Sequence, residues 1–317
     1  MTVLPLPHTV EPQLVRDQQT TQFNKWLTIA LFTIPGMLLF ILFVLIPIFQ
    51  SVQFSLYRWD GFGGLTEENY VEFGNYTRLL NHDIFQSAVS HSLLVIFGSL
   101  MIQLPLALGL ALLVGRGELP GRKWLRTILF IPYVFSEVIT AILWLYVLHP
   151  NGLINKMMGS LLPDYNSVGW LGDRNLALIA IFAVLTWKYF GFFMLLYMAG
   201  LQGIPQDLED AARLDGAQEF QVLRFITLPL LGSTIRLTIF LSVLGGFQQF
   251  VLVWVLTQGG PVNSTELIAT YLYKFGISRF NLGYGSAVAV VLFLLTLVFS
   301  LSYQRLFMRQ DFEYEAS

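Results

Sequence analysis

Long apolar stretches separated by short polar ones set the pattern of this chain. Trp26 to Tyr57 and Ile84 to Gly115 contain no charged residue. Thr127 to Asn155 contains only Glu137, and Asn175 to Gln206 contains only Lys188. Leu237 to Thr265 and Phe280 to Gln304 again contain none. Each interval exceeds the roughly 20 residues needed to cross about 30 Å of hydrocarbon. Backbone groups in lipid must be satisfied internally, so each interval predicts a helix. The six fall near 27–50, 87–113, 126–148, 175–201, 233–256 and 283–306. The expected fold is therefore an all-α polytopic membrane protein of six transmembrane helices over residues 27–307. Residues 1–26 are polar without a signal-peptide pattern and are expected to be a mobile cytosolic arm, and 308–317 a cytosolic tail.

Lys and Arg orient the spans. With the N-terminus inside, eleven of them fall on the cytosolic side and six outside. The loop "GRGELPGRKWLR" is the strongest local signal. Both termini and the segment between helices four and five then face the cytosol.

Composition agrees with a bilayer as solvent. The chain is 55% hydrophobic and 12% charged, against about 25% charged in soluble domains. A net charge of −2 offers nothing to nucleic acid. There is no cysteine, so disulfides and thiolate metal sites are excluded, and the four histidines lack ligand spacing.

One segment, "EDAARLDGAQEFQVLRFITLPLL" from Glu209, departs from the apolar pattern. Pro205 precedes it, and Asp207, Glu209 and Asp210 sit where acidic groups complement a helix dipole. Leu208, Ala211, Ala212 and Leu214 form an apolar stripe, and Asp215-Gly216 marks a turn before Ala217. Glu219 to Leu228 predicts a second short helix with Phe220, Leu223 and Ile226 on one face and Pro229 as its stop. The segment reads either as an interfacial helix lying on the membrane or as a docking knuckle for a cytosolic partner. Interfacial helices favour basic residues, which are scarce here.

This segment resembles the cytoplasmic coupling-loop signature of bacterial ABC importer permeases: Glu-Ala-Ala, three residues, Gly, nine residues, then Ile-x-Leu-Pro. Ala211, Ala212, Gly216, Ile226, Leu228 and Pro229 match at that spacing, and Asp210 stands where the family usually has Glu. "FGNYTRLL", "WKYFGFFMLLYMAGLQGIP" and "FQQFVLVWVLTQGGPVNST" resemble the sugar-permease branch, which includes the larger maltose permease subunit and the first glycerol-3-phosphate permease subunit. The resemblance implies the type I importer permease fold and a coupling loop over 202–231. It also implies a second, similar permease subunit, two ATPase subunits and an extracytoplasmic solute-binding protein in a bacterial inner membrane.

The energy source follows from the residues. No Gly-Lys dipeptide occurs, so the chain has no phosphate loop and holds no cofactor of its own. ATP and magnesium belong to the partner ATPase. An ion-coupled carrier is expected to show several intramembrane carboxylates and often inverted repeats, and this chain has neither. An intramembrane enzyme using Ser90-His91 or Ser136 is a distant alternative.

Glu137 and Lys188 lie near the middles of helices three and four. They form a buried pair that fixes packing, or they line a wet substrate cavity, or both. Trp144, Trp187, Tyr189, Phe190, Phe192, Phe193 and Tyr197 surround them, as ordinary packing or as stacking faces for sugars. Gln248 and Gln249 need partners inside a charge-free span, with Gly245-Gly246 opening space beside them and Ser242 on the same side. The resemblance places cargo contacts at Lys188, Tyr189 and Phe192 on helix four and at Ser242, Gly245, Gly246 and Gln249 on helix five. The two glycines and Lys188 depart from the maltose subunit. A neutral sugar, oligosaccharide or glycosylated polyol is the expected cargo, with glycerol-3-phosphate or another polyol phosphate as the alternative.

Overall fold

The computed structural model describes residues 12–115, 120–162 and 164–308. Residues 1–11 of the expected arm, Arg116 of the basic loop, and the tail from Arg309 onward lie outside the described residues.

The chain divides into two compact units, one through Gln53 and one from Phe54 onward. In the first unit a helix begins at Pro12, ahead of the expected start near 27. Its apolar stretch, Lys25–Phe54 (α1), is 30 residues long. In the second unit, Asp83–Gly115 (α2), Ala177–Gln202 (α5) and Leu282–Met308 (α10) are also long and apolar enough to cross a bilayer. Their bounds differ from the sequence expectations by a few residues at most.

The third expected span is not one helix. It is Arg122–Val134 (α3) and Glu137–Val147 (α4), bent by 98° at the intervening residues. Phe135 is extended, and Ser136 caps α4 by accepting from the Ile139 N–H at 3.3 Å. The loop then follows as Gln206–Leu214 (α6) and Glu219–Leu230 (α7), the latter meeting Gly232–Gln248 (α8) at 67°. The fifth expected span, continuous over 233–256, is also corrected. It breaks at Gln249 and Phe250 before Val251–Thr257 (α9) resumes. Four continuous apolar helices and two bent pairs make six spans if each bent pair crosses once. Among the described residues the only bridge between extended segments is Tyr57 with Tyr70.

Three apolar clusters hold the second unit. Leu104, Ala107 and Ala111 of α2 meet Met194, Tyr197 and Leu201 of α5. The alanines allow the backbones to approach, as packing between helices in lipid requires. Ala141 of α4, Val184 of α5 and Leu252 of α9 form a second cluster. Ala88 and Ile96 of α2, Val243 of α8 and Val288 of α10 form the third. α2, α5 and α8 each contribute to more than one cluster and wall the space between them.

Candidate functional site

That space is a cavity of about 370 Å³ lined from α2, α3, α4, α5 and α8. Seven of the eight pathway residues expected from sequence line it: Glu137, Tyr189, Phe192, Ser242, Gly245, Gly246 and Gln249. Both helix breaks open onto it. Glu137 is the first residue of α4, and Gln249 is the residue at which α8 ends. Non-helical backbone at membrane depth is tolerated where it lines a cavity.

Each lining group is set by a different element. Gly245 has open space where a side chain would stand, whereas a side chain at Gly246 would run into Ile96. The first glycine widens the cavity, and the second lets α8 close on α2. Ser242 shares a 2.8 Å hydrogen bond with Ser99. Ser99 in turn donates to Gln103, whose amide reaches the Leu185 carbonyl at 3.4 Å. Tyr133 of α3 stacks on Phe192 with centroids 4.9 Å apart. Glu137 accepts the Tyr189 hydroxyl hydrogen bond. Gln249 is only 8% exposed, and its Nε2 has no hydrogen-bond partner.

Lys188 differs from the expectation. It is 3% exposed and is not among the lining residues. Its ammonium donates to the carbonyls of Pro132 at 3.3 Å, of Tyr133 at 3.0 Å, and of Phe135. These carbonyls are left over at the end of α3, where a cation is favoured. Three donors meet three acceptors. Glu137 and Lys188 therefore have separate partners and make no direct ion pair. The proposed pair is replaced by two neighbouring residues of α5 that each hold one side of the α3/α4 break.

Sequence reading missed Ser99, Gln103 and Tyr133. Ser99 and Gln103 are polar residues four apart in a charge-free span, and that spacing was the available signal. They also form a π-helical turn, Ser99–Gln103, of the kind that recurs at functional sites.

The second candidate region is the loop 202–231. Arg213 of α6 pairs with Asp210 at 2.8 Å and with Glu219 at 2.7 Å, and approaches Glu209 at 3.8 Å. The guanidinium holds the Glu219 carboxyl below its ordinary range, chiefly through their hydrogen bond. Glu209 is buried and accepts from the Thr227 hydroxyl at 2.6 Å. It braces α6 against α7 and does not present a free carboxylate. Asp215 ends α6, and Gly216 takes φ +90°, where a side chain is strained although the surrounding space is open. Gln221 caps the start of α7 by accepting from the Gln218 N–H at 2.7 Å. A shallow pocket of about 360 Å³ runs between Asp215, Gly216, Ala217 and Ile226. Ala211 and Pro229 are exposed and Ala212 half-buried. Leu214 is 89% exposed, and Phe220 and Phe225 are each 68% exposed. Along the face expected for α7, Phe220 is exposed and Leu223 and Ile226 are half-buried. Apolar side chains thus stand exposed around a braced polar frame.

Residues 103–311 match the family described as binding-protein-dependent transport system inner membrane component. The chain is 34% identical over 281 residues to the probable ABC transporter permease protein YurN of Bacillus subtilis, covering 87% of this chain and 94% of that one. It is 32% identical over 273 residues to the diacetylchitobiose uptake system permease protein NgcF of Streptomyces coelicolor, covering 83% and 77%. It also superposes on a solved bacterial alginate ABC transporter in complex with an alginate pentasaccharide-bound periplasmic protein. The TM-score is 0.76 at 25% identity, with 92% of this chain and 97% of that chain covered. The fold is the type I importer permease fold, and the relatives are permease subunits, so the intramembrane-enzyme alternative is set aside. Because the family match spans both helix breaks, most of the cavity lining and the braced loop, the chain belongs to the binding-protein-dependent transport system inner membrane components, the permease subunits of ABC importers.

Proposed function

We propose that this permease forms half of the translocation pathway for a neutral sugar, oligosaccharide or glycosylated polyol. An extracytoplasmic binding protein delivers the cargo, a second permease completes the pathway, and two ATPase subunits carrying ATP and magnesium drive it. The loop 202–231 and both termini face the cytosol, as the distribution of Lys and Arg favours. The observation that carries the cargo reading is Gln249, a buried amide whose donor has no protein partner at a helix break in the cavity wall. A hydroxyl-rich cargo supplies the missing acceptor. Around it stand Glu137, Ser242 and Gln248 as polar partners and Tyr133, Tyr189 and Phe192 as faces for sugar C–H groups. A polyol phosphate fits less well, because the cation expected to receive it, Lys188, is occupied by carbonyls.

The test is uptake by the reconstituted importer in proteoliposomes. Labelled disaccharides and glycerol-3-phosphate are offered with the cognate binding protein. Saccharide uptake that Gln249→Leu slows supports the reading. Uptake of glycerol-3-phosphate alone overturns it.

A further inference from the structure

α5 runs unbroken past the cavity to Gln202, and α6 of the loop begins at Gln206. The helix therefore ties the proposed ATPase-facing loop to the cavity wall. Fourteen residues separate Gln202 from Lys188, about 21 Å at 1.5 Å per residue. At that level α5 holds both sides of the α3/α4 break. Lys188 takes three carbonyls at the end of α3, and Tyr189 takes Glu137 at the start of α4. One turn further, Gly191 faces the α3 backbone so closely that a Cβ there would stand 3.1 Å from the Phe130 Cα and closer still to the Leu129 carbonyl. α3 and α5 thus touch backbone to backbone, with the ammonium of Lys188 fixing their register.

We infer that Lys188 is a positioning residue for transport, which locks α3 to α5 so that movement of the loop is delivered to the cavity at the α3/α4 break. The inference rests on the loop being the ATPase-driven lever proposed above. Without the ammonium, three carbonyls in a water-poor site lose their donor, and α3 is free to lag behind α5. With it, α3 and α5 move as one body, and the bend beside Glu137 takes up the displacement. Lys188 lies outside the cavity lining, so its effect on cargo is indirect.

The experiment uses the complete importer with its loaded binding protein. Lys188→Met and Lys188→Arg are compared for copurification of the ATPase, KM for cargo, and ATP hydrolysed per cargo imported. Lys188→Met is expected to assemble, to keep KM within about threefold, and to raise ATP consumed per cargo by about tenfold or more. Arg keeps the charge and the donors, and is expected to restore coupling to within about threefold of the parent. A Lys188→Met variant that raises KM while coupling stays intact overturns the inference.

Should Lys188→Met fail to assemble, the parent protein decides. The chain has no native cysteine, and Ile131 on α3 and Ala199 on α5 are exposed. Spin labels at Ile131→Cys and Ala199→Cys report the separation of the two helices with and without ATP. The separation is expected to hold within about 2 Å, and a change above about 5 Å, one helical turn, overturns the inference. This readout needs no cargo. Failure of every saccharide to be imported therefore counts against the functional reading and leaves the label distances to judge the linkage.

Discussion

The cavity wall and the loop 202–231 are two polar regions of an apolar chain, and they satisfy their polar groups in opposite ways. In the loop the partners are close in sequence. Arg213 meets Asp210 three residues away and Glu219 six away, and Gln218 meets Gln221. In the cavity the partners are distant. Ser99 meets Ser242 across 143 positions, and Tyr189 meets Glu137 across 52. The loop is a self-braced knuckle that presents apolar side chains outward. The cavity is assembled from five helices and leaves one buried amide donor unmatched. The polar frame of the loop is completed within one segment, whereas the cavity exists only where five helices come together.

The largest expected effect separates the two regions. Gly216→Leu places a side chain at φ +90°, which costs about 1–3 kcal/mol in backbone strain. Membrane insertion and cargo binding by the binding protein are expected to persist, while ATPase copurification and uptake are lost. The space around Gly216 is open, so conformation and not volume sets the requirement. Asn, which tolerates left-handed backbone, is expected to restore part of the uptake. Normal uptake by the Leu variant removes the docking role from the loop.

Gln249→Leu tests the other side of the comparison. Losing one hydrogen bond to cargo costs about 1–3 kcal/mol, a rise in KM of about 5- to 150-fold. Basal ATPase activity is expected to stay within twofold or so, since the loop is untouched. Unchanged cargo kinetics would remove Gln249 from the pathway.

A smaller effect is expected from Asp210→Lys. Its pair with Arg213 is more than half exposed on the acidic side, so the lost stability is about 0.2–1 kcal/mol. Charge reversal on the contact surface is expected to lower ATPase association several-fold while the ranking of cargoes stays the same. Altered cargo preference in this variant erases the distinction between the two regions.

The smallest effect concerns the two midplane charges. Lys188 and Glu137 make no direct ion pair but feel each other's charge across the break, so a double-mutant cycle of Lys188→Met with Glu137→Gln is expected to give a coupling of only about 0.5–1 kcal/mol in thermal stability. A double variant much milder than Lys188→Met alone would restore the direct pair.

The residues themselves determined the solvent, the helical class and the loop. Charge-free intervals longer than a bilayer leave no alternative to helices, and the short-range signals of Pro205, Asp215-Gly216 and Pro229 bound α6 and α7 within a few residues. Gln249, Ser242 and Gly245 were legible as polar or small residues in an apolar span. Only the tertiary structure decided where the spans break and what Lys188 does. Neither Phe135-Ser136 nor Gln249-Phe250 contains a proline or glycine, and although Ser136 suits a helix start and Pro132 and Gly245-Gly246 stand close by, these local signals do not by themselves mark a break inside an apolar span. The α3/α4 break is held by distant groups, an ammonium from α5 on the carbonyls of α3 and the Tyr189 hydroxyl on Glu137. A buried lysine in a sequence shows that it needs partners, but whether they are a carboxylate, a cargo or the frayed end of another helix depends on which helix packs beside it.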